Sequence, residues 1–190
     1  MKKLMPLPLL LLACATLQFG SGDLWDMADP DSIQGITKTV VLLGGATGTS
    51  CSQSALEATA QALKSHHYSV IEPEQLNQRS VSSFIDPQDH HRIGRLCYAL
   101  NIDGLWLVDI MECDIELGIT LKYSIIDKAG KQLASCTLHH DAFTITKSES
   151  EYSFLGDRTQ TRSHIRFSLE GIVEAMADSV VKKYMDQIRP

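Results

Sequence analysis

Residues 38–57 read KTVVLLGGATGTSCSQSALE, and this stretch decides the fold. Its aliphatic and β-branched start, Thr39–Leu43, is typical of a strand that is buried on both faces. A glycine-rich turn follows, and Ser54 with Glu57 then forms the capping-box pattern of a helix start. A strand, a turn and a helix in this order predict an α/β domain. The same order also raises the question of a phosphate-binding turn.

The middle of the chain repeats this alternation and then changes to a hairpin. Tyr68–Ile71 predicts a second short strand, and Asp86-Pro87 is the cap-and-proline pattern of a second helix start. Leu105–Met111 predicts a third strand. Alternating apolar residues from Leu117 to Ile125 then indicate a strand with one face in water, and Gln132–Leu138 is its predicted partner across a hairpin turn.

The C-terminal part of the chain combines a polar segment with an amphipathic one. Residues 144–162 are polar, and we expect an exposed loop or an irregular edge there. The apolar stripe from Ile165 to Ile188 predicts a long helix. The predicted order is therefore β-α-β-α-β-β-β-α. We expect an α/β (α+β) fold in which helices pack on one mixed sheet that contains an antiparallel hairpin.

The N-terminus predicts export and lipidation. Lys2 and Lys3 precede an apolar stretch that is too short to span a bilayer, and this stretch ends at Cys14. The sequence LLAC at residues 11–14 resembles the bacterial lipobox, whose cysteine is acylated and becomes the new N-terminus. The alternative is an ordinary signal peptide that is cleaved near Ala13 or Ala15.

These patterns divide the chain into three parts. We expect residues 1–13 to be a lipoprotein signal peptide, residues 14–37 a lipidated N-terminus and short tether, and residues 38–190 a single globular periplasmic domain. Ala15 follows the cysteine where an aspartate would retain a lipoprotein in the inner membrane. The expected location is therefore the periplasmic side of the bacterial outer membrane, with a palmitate-type anchor.

Composition excludes some partners and leaves the cysteines open. The net charge of -6, without any basic run, gives no electrostatic reason to expect a nucleic acid partner. Four cysteines remain for an oxidising compartment: Cys51, Cys97, Cys113 and Cys136. They allow three complete pairings, among which the sequence does not choose. No spacing typical of a metal site is present, so we expect neither a metal nor a cofactor.

The glycine turn does not fit the common nucleotide motifs well. A P-loop requires a lysine after its last glycine, whereas Thr49 follows Gly48 here. A dinucleotide site is better supported, because Glu72 ends the second strand and could bind a ribose. However, Cys51 stands where the third glycine is expected, and a hairpin replaces the second βαβ half. The favoured interpretation is a sharp structural turn. The candidate ligand-binding residues of the alternative are Gly44, Gly45, Gly48, Thr49 and Ser50.

No pattern identifies a catalytic residue. Four carboxylates occur within residues 109–116, and paired carboxylates can hydrolyse glycans, but a solvated strand edge explains such a run more simply. They are Asp109, Glu112, Asp114 and Glu116. Three adjacent histidine pairs occur at residues 66–67, 90–91 and 139–140. Neighbouring side chains point in different directions, so such a pair rarely chelates. We therefore expect a protein that is not an enzyme.

The succession of segments resembles a group of periplasm-facing bacterial lipoprotein domains. The phrases that carry the resemblance are YSVIE at residues 68–72, ALNIDGLWLVDI at 99–110 and LKYSIIDKAGKQLASCTL at 121–138. The group includes the curli-secretion lipoproteins, the outer-membrane activators of penicillin-binding proteins and the Pel-export lipoprotein, and the N-terminal domain of the periplasmic Tol protein is similar. The resemblance covers residues 38–187 as a pattern of segments. Residues 144–157 are too polar to form the membrane-spanning hairpins of the curli channel.

This resemblance implies a non-enzymatic component of an envelope machine for secretion, polysaccharide export or cell-wall synthesis. Its expected partners are envelope proteins and other copies of itself, with residues 144–162 and Trp25 as contact candidates. The alternative hypothesis is a nucleotide- or small-ligand-binding domain that uses the glycine turn.

Overall fold

The structure is a computed structural model that describes residues 25–27, 33–44, 51–79, 81–114, 118–141, 145–152, 158–165 and 168–188. Its elements in chain order are β1 (Asp26–Met27), β2 (Lys38–Leu43), α1 (Ser52–Ser65), β3 (Ser69–Ile71), α2 (Pro73–Gln78), α3 (His90–Leu100), β4 (Gly104–Asp114), β5 (Gly118–Asp127), β6 (Gln132–Asp141), β7 (Ile145–Tyr152), β8 (Arg158–Ile165) and α4 (Leu169–Ile188). The predicted mixed sheet with helices and a hairpin is confirmed. Strand β1, helix α2 and the β7–β8 pair are additions to the predicted order.

Six strands form one mixed sheet in the order β1-β6-β5-β4-β2-β3. Strand β2 pairs in parallel with both β3 and β4, whereas β4, β5 and β6 pair antiparallel. The parallel strands come from the β-α-β pattern, and the antiparallel strands come from the hairpin. A β-bulge interrupts the β4–β5 register between Ile110 and Glu112.

The sheet separates two apolar clusters, because successive side chains of a strand point to opposite faces. Val41, Leu43 and Trp106 face the larger cluster, which contains the buried sides of α1 and α4. Val40, Leu42 and Leu105 face the smaller one, with the buried sides of α2 and α3. Strands β2 and β4 are therefore buried on both faces, as the aliphatic run at the start of the first stretch predicts.

Helices α1 and α3 begin at different residues from those that the sequence predicts. Helix α1 begins at Ser52, and its N-cap Cys51 makes no side-chain capping bond, so the predicted capping box at Ser54 is wrong. Helix α3 begins at His90 instead of Asp86. The Asp89 carboxylate accepts a hydrogen bond from the Arg92 N–H at 3.0 Å and caps it. The cap lies at Asp89 and not at Asp86, because the Asp86 carboxylate accepts a hydrogen bond from the Gln88 N–H and stabilises a turn before the helix.

The predicted hairpin turn between β5 and β6 is confirmed. The Asp127 Oδ1 accepts from the N–H groups of Ala129 and Lys131, at 2.8 Å each. Gly130 has φ 84°, and a Cβ there would lie 2.7 Å from the Cβ of His90. Glycine is therefore required both by the turn and by the close approach of α3.

The polar segment at residues 144–162 contains a regular hairpin, in place of the predicted exposed loop or irregular edge. Residues 145–152 and 158–165 pair as the antiparallel hairpin β7–β8, with Ile145 opposite Ile165. The last helix starts at Leu169, so Ile165 belongs to a strand and not to that helix. The polar composition concealed these strands, since alternation of apolar residues is the main signal of a strand.

The segment before Lys38 contributes to the core. Trp25, expected on a tether, is only 5% exposed. Its ring centroid lies 5.3 Å from that of Trp106 and 5.4 Å from that of Tyr184, and its indole N–H donates to the Val180 carbonyl at 3.0 Å. Ile33 and Ile36 belong to the same cluster. The packed part of the chain thus includes residues that precede the expected domain start.

A disulfide joins Cys51 to Cys113, across 62 residues of chain, while Cys97 and Cys136 are buried cysteines outside this bond. The bond ties the start of α1 to the end of β4. It resolves the choice of pairing that the sequence left open. Within the described residues, no helix has both the length and the apolar character needed to cross a bilayer.

Replacing Trp25 with alanine should lower the free energy of unfolding by about 3–5 kcal/mol, the usual cost of deleting a buried aromatic side chain. Urea unfolding followed by circular dichroism measures it. Trp25→Phe should cost less, because it keeps an aromatic ring and loses only the indole bond to Val180. Tyr98→Ala, at a side chain that is 90% exposed, is the matched control and should shift stability by less than about 0.5 kcal/mol. Equal midpoints for Trp25→Ala and Tyr98→Ala would contradict the packing role of Trp25.

The reactivity of each cysteine toward an alkylating reagent should follow from the disulfide and from its burial. Burial raises the pKa of the Cys97 thiol to about 11, so native protein should resist alkylation there at neutral pH. Denaturation without reductant should expose Cys97 and Cys136, and only reduction should release Cys51 and Cys113. Reduction should also lower the free energy of unfolding by about 2–4 kcal/mol. Alkylation of Cys51 before reduction, seen by mass spectrometry, would disprove the pairing.

Candidate functional site

The start of the glycine turn is fixed by its contact with strand β4. The N–H of Gly44 donates to the carbonyl of Val108 at 3.2 Å. A Cβ on Gly44 would lie 2.6 Å from the Asp109 Oδ1, closer than Cβ contacts allow. Glycine at this position therefore lets the chain pass beside the Asp109 carboxylate. This contact supports the structural interpretation of the turn.

Of the five candidate ligand-binding residues, only Gly44 is described. Gly45, Gly48, Thr49 and Ser50 lie outside the described residues. At Gly44 the nearest side-chain group is the carboxylate of Asp109, which in its ionised form would repel a phosphate. The nucleotide-site hypothesis stays a prediction, and the described part of the turn does not favour it.

The acidic run of strand β4 is divided among separate partners. In the β4–β5 register, Asp109 lies opposite Lys122 and Glu112 lies opposite Thr120. The Thr120 hydroxyl donates to the Glu112 Oε2 at 3.4 Å, and its Oγ1 lies 2.7 Å from the Nδ1 of His139. Asp114 is at the exposed end of the strand, and Glu116 lies outside the described residues. Asp109 is half-buried and Asp114 is exposed, so the described carboxylates of the run do not share one environment.

The members of one histidine pair, at residues 139 and 140, differ in exposure. His139 is exposed whereas His140 is buried, because they alternate along β6. The Nδ1 of His90 lies 2.6 Å from the Gly130 carbonyl, so this side chain joins α3 to the hairpin turn. Among the described residues, no three His, Cys, Asp or Glu side chains are placed to hold a metal ion.

A groove of about 670 Å³ lies along the outer side of α1 and is acidic. It is bounded by α4 on one side and reaches round the β3 edge to α2 on the other. We call it the acidic groove. Its carboxylates are Glu57, Glu72, Glu74, Glu174 and Asp178. Lys64, which also lines it, forms an ion pair with Glu72. Four carboxylates therefore remain without a cation in the lining.

A second surface, on the outer side of α3, has the opposite charge. We call it the basic face, and it surrounds an open depression of about 570 Å³. His91, Arg95 and Tyr98 come from α3, and Lys128 comes from the β5–β6 turn. Tyr98 is 90% exposed, the highest value among the large hydrophobic side chains described as exposed. None of the described carboxylates lines the depression.

Sequence reasoning missed both surfaces, although the basic face had a signal. His91, Arg95 and Tyr98 are spaced by four and three residues, so they share one side of a helix. That side is opposite to the buried stripe of Ile93, Cys97 and Leu100. The acidic groove had no comparable signal, because it combines side chains from α1, α4 and the β3 edge.

No family model and no curated protein matches the chain. Similar solved structures include a PelC dodecamer from Paraburkholderia phytofirmans, with 14% identity, a TM-score of 0.48, and coverage of 79% of this chain and 87% of that one. Lipoprotein GNA1162 from Neisseria meningitidis is 19% identical, with a TM-score of 0.43 and coverage of 55% and 80%. The C-terminal domain of LpoB from Escherichia coli is 14% identical, with a TM-score of 0.41 and coverage of 59% and 93%. All three similarities have TM-scores below 0.5, and they agree with the predicted resemblance only as a likeness of fold.

Asparagine substitutions at Asp103 and Asp109, near the ends of the central strands, should change the free energy of unfolding in opposite directions. Burial raises the pKa of Asp109, with Lys122 opposing the shift, so the ionised carboxylate destabilises the fold. The pKa of Asp103 is lowered by the N–H of Lys38, and then by the Thr37 N–H and hydroxyl, at distances of 2.9, 3.1 and 3.1 Å.

Asp109→Asn should therefore raise the free energy of unfolding near about pH 7, and the gain should vanish as the pH falls through the raised pKa of the folded protein. Asp103→Asn should lower it near about pH 7, and the loss should shrink as the pH falls through the lowered pKa. Urea unfolding across this pH range measures both. If both substitutions changed the free energy of unfolding in the same direction at neutral pH, the burial assigned to Asp109 or the hydrogen bonding assigned to Asp103 would be wrong.

Proposed function

We propose that this chain is an outer-membrane lipoprotein that faces the periplasm and works by binding proteins, including copies of itself. In this proposal it is a non-enzymatic assembly component of an envelope machine for secretion, polysaccharide export or cell-wall synthesis. Cys14 carries the lipid anchor, and residues 1–13 are the signal peptide that is removed.

The observation that carries the proposal is the Cys51–Cys113 disulfide in a chain with a lipobox-like N-terminus. Structural disulfides persist in oxidising compartments, and the bacterial periplasm is one of them. The pairing supports the export that the basic and apolar N-terminus predicts. Two independent features of the chain therefore agree on the compartment.

The arrangement of polar groups supports binding over catalysis. Two groups of charged side chains line open surfaces, the acidic groove and the basic face. Large and shallow surfaces that carry an exposed aromatic residue beside cations are typical of protein interfaces. Tyr98 beside Arg95 fits that composition.

The position of Trp25 adds a geometric constraint to the proposal. Only residues 15–24 separate the proposed lipidated Cys14 from a tryptophan that is fixed in the core. Ten residues, even fully extended, span roughly 35 Å. The domain would therefore work close to the membrane surface.

Replacing Cys14 with serine should abolish incorporation of labelled palmitate and remove the protein from the outer-membrane fraction. The expected loss is nearly complete, because stable attachment depends on the acyl chains. Density-gradient fractionation with metabolic labelling measures both. Cys136→Ser, at a buried cysteine outside the disulfide, is the control and should keep the label. Unchanged fractionation of Cys14→Ser would contradict the lipid anchor.

Crosslinking of the native lipoprotein in intact membranes, followed by mass spectrometry, tests the assembly role. We expect crosslinks to envelope proteins or between copies of the chain. A lipidated protein that stays monomeric and forms crosslinks to no other protein would disprove this role.

A further inference from the structure

The backbone that carries the basic face is held by contacts between α3 and the β5–β6 turn. The Asp89 cap fixes the first turn of α3, and the contact of His90 with the Gly130 carbonyl holds this helix against the hairpin turn that carries Lys128. Arg95 lies on the helix and Lys128 on the turn, so this contact sets the spacing between the two cations. The backbone therefore loses little conformational entropy on binding. The exposed ring of Tyr98 offers a central anchor of the type found at interface hot spots.

The acidic groove has the complementary chemistry. Glu57, Glu74, Glu174 and Asp178 line it without a cation among its lining residues, since Lys64 is paired with Glu72. Its floor is partly apolar, with Leu56, Ala60 and Ala62 in the lining. An aromatic ring and two cations entering this groove would meet both apolar contact and opposite charge.

The two surfaces cannot neutralise one another within one chain. The acidic groove lies along α1 and α4, whose buried sides join the larger cluster on one face of the sheet. The basic face lies on α3, whose buried side joins the smaller cluster on the other face. The sheet and both apolar clusters separate them. A second copy can bring them together.

We propose that the basic face of one copy docks into the acidic groove of the next. This inference rests on the proposed function, and it names one partner and the surfaces that meet. Because different surfaces meet, the contact is heterologous, and repetition of it produces a ring if the rotation closes or a filament if it does not. The chain also has a net charge of -6, so copies repel at long range and only the correct orientation brings opposite charges together.

Charge reversal tests the contact in the full-length lipoprotein extracted in mild detergent. The first variant, Arg95→Glu with Lys128→Glu, makes the basic face acidic. The second, Glu174→Lys with Asp178→Lys, makes the groove basic. Sedimentation velocity should show at least about tenfold weaker self-association for each variant alone. Association of the wild-type protein should also weaken as salt is raised.

Mixing the two variants should restore association. In the mixture, each reversed surface meets a surface of opposite charge on the other variant, so the two alternate along the assembly. Recovery on mixing also shows that both variants are folded. Arg79→Glu with Asp186→Lys reverses two exposed charges outside both surfaces and is the matched control, which should associate as the wild-type protein does.

The outcomes separate this inference from the proposed function. Self-association that neither reversal weakens, or a mixture that does not recover, would disprove the docking contact and leave the assembly role intact. If the wild-type protein is monomeric and crosslinks only to other envelope proteins, the docking contact is likewise disproved and the assembly role stands. A monomer that crosslinks to no protein would disprove both.

Discussion

The parallel pairing of β2 with β4 is the constraint on which the rest of the structure depends. Val41 opposite Trp106 and Leu42 opposite Leu107 place apolar side chains on both faces of the sheet at once. Each face then has to be covered, because exposed apolar surface on this scale is unfavourable. Helices α1 and α4 cover one face and α2 and α3 the other, which sets the sides on which the charged surfaces lie.

The same pairing explains the glycine turn. Strand β2 ends where β4 continues, so the chain leaves the sheet directly beside Asp109. The disulfide from Cys51 to Cys113 then holds the start of α1 near the far end of β4. Gly44 and Cys51, the described residues on either side of the turn, are thus both tied to β4, which supports the structural interpretation of the turn.

Trp25 extends this constraint to the N-terminal segment. Its contacts with Trp106 on β4 and Tyr184 on α4 join the start of the described chain to the central strand and to the last helix. The aromatic cluster therefore couples three parts of the sequence that are far apart. If Cys14 is acylated as proposed, this cluster also connects the anchor to the body of the domain.

The sequence by itself determined the mixed α/β fold, the central strands and the hairpin turn between β5 and β6. These features depend on local periodicity and turn chemistry, which act over a few residues. Only the tertiary structure decided the cysteine pairing, the burial of Trp25, the start of α3 at His90 and the pairing of the polar strands β7 and β8. It also assembled the acidic groove from α1, α4 and the β3 edge. Each of these depends on which distant segments meet, and local sequence patterns carry little information about contacts across the fold.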